Sequence, residues 1–105
     1  MTMSETNVAY IDIDLEELIP EYLENRKSDV IVIRELLQQN DLTEIRRLGH
    51  SMKGSGGGYG FDEISVIGRH IEDAALAGDL EVIKTQTQVL HKYIETVTIV
   101  WQEEE

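Results

Sequence analysis

The distribution of glycine and proline constrains this chain more than any other feature. Proline occurs once, at Pro20, and seven of the eight glycines fall between Gly49 and Gly68. Outside that zone turn signals are scarce, so the elements must run long, and long elements with few breakers are helices. No stretch alternates with period two strongly enough to read as a strand. At 105 residues with 41% apolar content, the chain can fill one core of modest size but not two.

Capping signals divide it further. Residues 1–13 read as an N-terminal tail. Asp14 with Glu17 opens a short helical turn through Leu15, Leu18 and Ile19. Pro20 suits the first position of a long helix that carries Tyr22, Leu23, Val30, Ile33, Leu36 and Leu37 on one face. Asp41 and Glu44 open a second helix with Leu42, Ile45, Leu48, Met52 and Tyr59, and Gly60 is its stop. A third runs from Phe61 through Ile64, Ile67, Ile71, Ala74 and Ala75. After Gly78 and the cap Asp79, a fourth runs from Leu80 through Ile83, Leu90, Ile94, Val97 and Trp101. The expectation is an all-α fold: an antiparallel, up-and-down four-helix bundle over 14–102 with a short N-terminal capping helix, followed by an acidic tail at 103–105.

A bundle does not need the segment Gly49-His50-Ser51-Met52-Lys53-Gly54-Ser55-Gly56-Gly57-Gly58-Tyr59-Gly60. Each interior glycine costs a helix about 1 kcal/mol relative to alanine. Yet at about 100° per residue the apolar set 42, 45, 48, 52, 56 and 59 stays within an arc of roughly 120°, so the helix is expected to persist past Gly54. His50 then lies about 150° from the centre of that arc and points to solvent. Arg46, Lys53, Gly54 and Gly57 share its ridge. An unprotonated imidazole is a nucleophile near neutral pH. A nearby ammonium disfavours the imidazolium and balances an attached phosphoryl group. A glycine one turn away lets another protein close over the ring.

The pattern His50-x-x-Lys53-Gly54 with Gly60 beyond it, the flanking Leu48-Gly49 and Tyr59-Gly60-Phe61, the run Ile71-Glu72-Asp73-Ala74-Ala75 and Tyr22-Leu23-Glu24-Asn25-Arg26 together resemble histidine-containing phosphotransfer (HPt) domains. The similarity covers roughly residues 14–100. It implies a bundle whose exposed histidine takes phosphate from a receiver-domain aspartate and passes it on. By that resemblance His50 is the phospho-acceptor, Lys53 steadies the phosphoryl oxygens and Gly54 gives the receiver room. The exposed ridge and its local positive charge add Arg46, Arg47 and Gly57 as expected partner-binding residues. The partners implied are receiver domains and a hybrid sensor histidine kinase. Nδ1 of His50 is expected to carry a proton and donate it. Glu72 is the candidate acceptor, the alternative being a solvated surface carboxylate.

Charge narrows the reading. The formal net charge is −12, which argues against sequence-independent binding of nucleic acid and against docking on an anionic membrane. Residues 26–53 nevertheless hold six of the nine cations (Arg26, Lys27, Arg34, Arg46, Arg47 and Lys53), a locally basic stretch suited to an acidic receiver pocket. Arg26 and Arg34 read as ordinary solvated side chains. There is no cysteine, hence no thiolate chemistry. There is no phosphate-binding loop motif and no kinase nucleotide set, so neither nucleotide binding nor self-phosphorylation is expected, and the chain is read as a carrier and not an enzyme. No cofactor is expected on the chain, Mg²⁺ belonging to the receiver. Without a basic and apolar leader the expected place is the cytoplasm, as a monomer. Three other readings stand beside the carrier. One is an adaptor bundle that binds a partner through the same face without taking phosphate. One is a phosphate-binding glycine loop. The last is a zinc site from His50, His70 and His91, the latter two read as boundary residues on helices three and four.

Overall fold

A computed structural model describes residues 7–103; residues 1–6 and 104–105, parts of the two tails read from sequence, lie outside the described residues. In chain order it contains strand β1 (Val8–Asp12), a 3₁₀ turn (Ile13–Leu15), helix α1 (Ile19–Gln38), helix α2 (Leu42–Gly56), a 3₁₀ turn (Gly57–Tyr59), helix α3 (Asp62–Ala77), helix α4 (Leu80–Thr96) and strand β2 (Thr98–Gln102). Four helices dominate, as their spacing of apolar residues requires.

The ends of the helices follow side-chain chemistry. Asp41 accepts the Glu44 amide at 3.2 Å and Asp79 accepts the Val82 amide at 3.2 Å, so both acidic caps hold the first turns of α2 and α4. Pro20 sits in the first turn of α1. Asn40 ends α1 in the left-handed region at φ 56°, and the Asp41 amide returns to the Leu36 carbonyl at 2.9 Å, the Schellman pattern with asparagine in the place of glycine. Gly60, at φ 93°, turns the chain from α2 into α3.

The core is one cluster. Ile33, Ile45, Met52, Phe61, Ile64, Ile71, Ile83 and Leu90 are fully buried, contributed by all four helices and the α2–α3 turn. Tyr22 stacks on Tyr59 at 4.3 Å between centroids and on Phe61 at 5.8 Å, while its hydroxyl meets Ser55 Oγ at 2.9 Å, tying α1 to the end of α2.

Three expectations need correction. No strand was anticipated, yet β1, inside the stretch read as a tail, pairs in parallel with β2 in the register Val8↔Thr98 to Asp12↔Gln102. Ala9 and Ile11 of β1 are buried, so the pairing lies against the core. The fourth helix does not reach Trp101. Val97 turns to an extended conformation (φ −67°, ψ 135°), and the β-branched run Val97-Thr98-Ile99-Val100 pairs with β1 instead. The N-terminal turn is a 3₁₀ turn capped two positions earlier than expected: Asp12 Oδ1 accepts the Asp14 amide at 2.9 Å, which places Asp14 inside the turn.

Candidate functional site

A close approach between α2 and α3 sets the geometry of the site. Gly49 and Gly56 of α2 and Gly68 of α3 are buried. A Cβ on Gly49 would stand 2.7 Å from the Glu72 amide nitrogen and one on Gly68 2.5 Å from the Lys53 amide nitrogen, while a Cβ on Gly56 would stand 2.6 Å from that of Ser65. Backbone meets backbone along this line, which only glycine permits. Gly49 faces residues 68 and 72 while Gly56 faces 61 and 65, so α3 runs back along α2 and Glu72 arrives level with His50.

His50 projects from the outer face of α2, with 69% of its side chain exposed. Its Nδ1 lies 2.9 Å from Glu72 Oε2. The other oxygen, Oε1, is shielded from solvent and lies 3.0 Å from Lys53 Nζ. One carboxylate, 15% exposed, thus holds both the imidazole and the ammonium. Bonding to Lys53, then to His50, keeps the Glu72 carboxyl below the usual carboxylate range against the opposing effect of burial. An ionised Glu72 accepts only, so the Nδ1 that faces it carries the proton, and Nε2 remains the free nitrogen on the outward side of the ring.

The remaining residues named from sequence fall in different places. Gly54 is exposed and a Cβ there would meet nothing within 4 Å, so the surface beside His50 is open on the C-terminal side. Arg46 and Arg47, both exposed, line a shallow depression with Thr43, Glu44, His50 and Glu72. Arg47 is engaged by Glu44 on its own helix, which holds the Glu44 carboxyl below and the Arg47 guanidinium above their ordinary ranges. Gly57 is also exposed, although it stands beside α3. Its missing side chain would face Asp62 and Ser65 of α3 at 3.6 Å. Arg26 is not a solvated side chain: it pairs with Asp29 at 2.8 Å, is 14% exposed and lies over the Tyr22 ring at 4.6 Å. Arg34 reaches Gln88 Oε1 at 3.3 Å.

Sequence reasoning passed over Ser65. Its hydroxyl donates to the Lys53 carbonyl at 2.9 Å and accepts the Gly57 amide at 2.7 Å, closing the C-terminal end of α2 from α3. The signal was indirect: a helix ending in Gly56-Gly57-Gly58 has no side chain of its own with which to satisfy its last carbonyls.

The arrangement bears on two other readings. The backbone stays helical through Gly57 (φ −63°, ψ −33°) and continues as the 3₁₀ turn, so the glycines form no open phosphate loop. His70 reaches Gln86 of α4 at 3.4 Å, and among the described residues no three His, Asp or Glu side chains gather as a metal site. No described helix is long and apolar enough to cross a membrane.

Compared with known proteins, the chain matches the family model described as the Hpt domain over residues 14–98. The searches of curated proteins and of solved structures found no match.

Proposed function

Because this chain belongs to the Hpt domain family, a family of phosphocarriers in phosphorelay signalling, we propose that it carries phosphate on His50 between receiver domains of a two-component pathway. The observation that carries the reading is the exposed imidazole held through Nδ1 by Glu72 at 2.9 Å, with Nε2 left outward.

Nε2 attacks the phosphorus of a receiver aspartyl phosphate in line. The N–P bond forms, the acyl O–P bond breaks, and the aspartate carboxylate leaves with the electron pair. The Nδ1 proton stays, so the ring gains positive charge as the bond forms, and the Glu72 carboxylate stabilises that charge at Nδ1. Lys53, now on Glu72 Oε1 at 3.0 Å, turns its ammonium to the phosphoryl oxygens. Gly54 leaves space for the receiver, and Arg46 and Arg47 face its acidic pocket. Onward transfer is the same step reversed, onto another aspartate.

In this reading the carrier unit is a monomeric, cytoplasmic bundle of residues 14–102, with its helices alternating up and down and the N-terminal turn across one end. Residues 1–13 contribute β1, and 103–105 form an acidic end. A hybrid sensor kinase supplies phosphate through its receiver, and the receiver brings the Mg²⁺. The chain has neither kinase activity nor a cofactor of its own. An adaptor that never took phosphate would have no use for an imidazole and an ammonium sharing one carboxylate.

The test mixes the purified chain with radiolabelled, aspartate-phosphorylated receivers. Label should pass to the wild type in an acid-labile, base-stable form and not to His50→Gln. Glu72→Gln keeps a side chain that can accept from Nδ1 but removes the charge, and should slow acceptance about tenfold. Label retained by His50→Gln would overturn the assignment.

A further inference from the structure

The two-stranded sheet is the part of the molecule that the carrier reading leaves unused. Parallel pairs are ordinarily buried on both faces, and two strands alone are marginally stable in water. Here the inner side is covered through Ala9 and Ile11, but the outer side shows Val8, Tyr10 (60% exposed) and Val100 to solvent, with Trp101 also partly exposed. β2 pairs on one edge only among the described residues. The Thr98 amide turns inward to the Asn7 carbonyl at 2.8 Å, and strand alternation therefore directs the amides of Ile99 and Trp101 to the open edge.

Natural edges are blunted with charge, proline or a bulge. Thr98-Ile99-Val100-Trp101-Gln102 has none of these. It is an unguarded template for another strand. The surrounding charge says which kind of strand. There is no Lys or Arg before Arg26 and none after Lys92. Because the strands are parallel, both run out at the same end, where Asp12, Asp14, Glu16, Glu17 and Glu103 stand without a cation in either segment. A second copy would bring the same carboxylates to the contact, and a net charge of −12 with it.

We propose that the open edge of β2 is a docking site for an extended peptide of another protein, with alternating apolar residues along the strand and Lys or Arg where it passes the carboxylates. The peptide adds a strand to β2 by main-chain hydrogen bonds, its apolar residues pack beside Val100 on the exposed face, and its cations neutralise the acidic end. The site does not involve His50, and its success or failure is independent of phosphate transfer.

Trp101, the only tryptophan, reports binding directly. The full chain is titrated with the nonapeptide Thr-Val-Thr-Val-Thr-Val-Lys-Arg-Lys, with its reverse sequence to cover the opposite strand direction, and with the version of each in which Glu replaces every cation. A saturable change in Trp101 fluorescence is expected with one cationic peptide, weakening as salt is added, and none with the Glu versions. Val100→Lys, on the exposed face, should weaken binding about tenfold or more. Ile99→Pro removes an outward amide and should abolish binding while the helical circular dichroism persists; should that variant unfold, Val100→Lys decides. The proposal is overturned by no saturation with either cationic peptide, by equal binding of the Glu versions, or by binding that survives Val100→Lys. It is also overturned if sedimentation shows a dimer that protects Trp101 from a soluble quencher, since a second copy is then the occupant.

Discussion

Gly68 and Gly49 face each other so closely that a Cβ on Gly68 would stand 2.7 Å from the Gly49 carbonyl oxygen. The neighbours are backbone, which cannot swing aside. This approach brings α3 near enough for the Glu72 side chain to reach both His50 and Lys53. Gly68→Ala should therefore destabilise the chain by about 1–3 kcal/mol despite the better helix propensity of alanine. It should also reduce phosphate acceptance by displacing Glu72. Gly54→Ala makes the contrast: a Cβ there meets nothing, so stability should rise by up to ~1 kcal/mol while transfer from a receiver slows. Urea melts paired with transfer rates check both, and equal effects of the two variants on stability would contradict the account.

Glu72 should leave a signature in acid. Its carboxyl is held below the ordinary 4.5 by Lys53 first and His50 second. A depressed carboxyl binds its proton more weakly folded than unfolded, so its contribution is present above the unfolded value and is lost as pH falls through the folded one. The stability difference between wild type and Glu72→Gln should be steady near neutrality and shrink below pH 4.5, which denaturant midpoints measured at stepped pH will show.

Ser65 should matter more than its modest exposure suggests. Ser65→Ala leaves the Lys53 carbonyl and the Gly57 amide to find water, at a cost of about 1 kcal/mol. Amide exchange should quicken selectively across Ser55–Gly60 and leave the first turn of α2 unchanged.

Tyr93 governs the alkaline limb. Burial first, then the charges of Glu63 and Asp62, push its phenol from 10.0 up to about 12. A raised phenol contributes stability that is full below the unfolded value and lost as pH rises through the folded one, here between about pH 10 and 12. Tyr93→Phe should flatten the loss across that window in pH-stepped melts, with little change at neutrality.

Much of the site could be read from residue spacing because it depends on a single helix. The exposure of His50, its ridge with Arg46, Lys53 and Gly54, and the aspartate caps at 41 and 79 are local properties fixed by a period of 3.6. What needed the fold was everything between helices. Glu72 lies 22 positions from His50, and only the register of α3 on α2 makes them neighbours. The close-set glycines at 49, 56 and 68 encode that register, but a pattern of small residues does not say which partner fills the space. Gly57 shares the angular position of His50 and is exposed, but the hydrogen bond from its amide to Ser65 of α3 is likewise a contact between helices that spacing alone does not give. The strands were hidden by ambiguity of period, since Val97 and Trp101 fit a helical face as well as an alternating one.

Asn7 and Thr96 touch through a hydrogen bond of 3.2 Å although 89 positions separate them in the chain. Closing so large a ring costs entropy that no nearby contact offsets in advance. The glycine-lined pair α2 and α3, joined by a few residues, forms its contacts cheaply. Assembly should accordingly proceed from the α2–α3 hairpin that carries His50 outward, with the two ends fastened last and the first to come loose under strain.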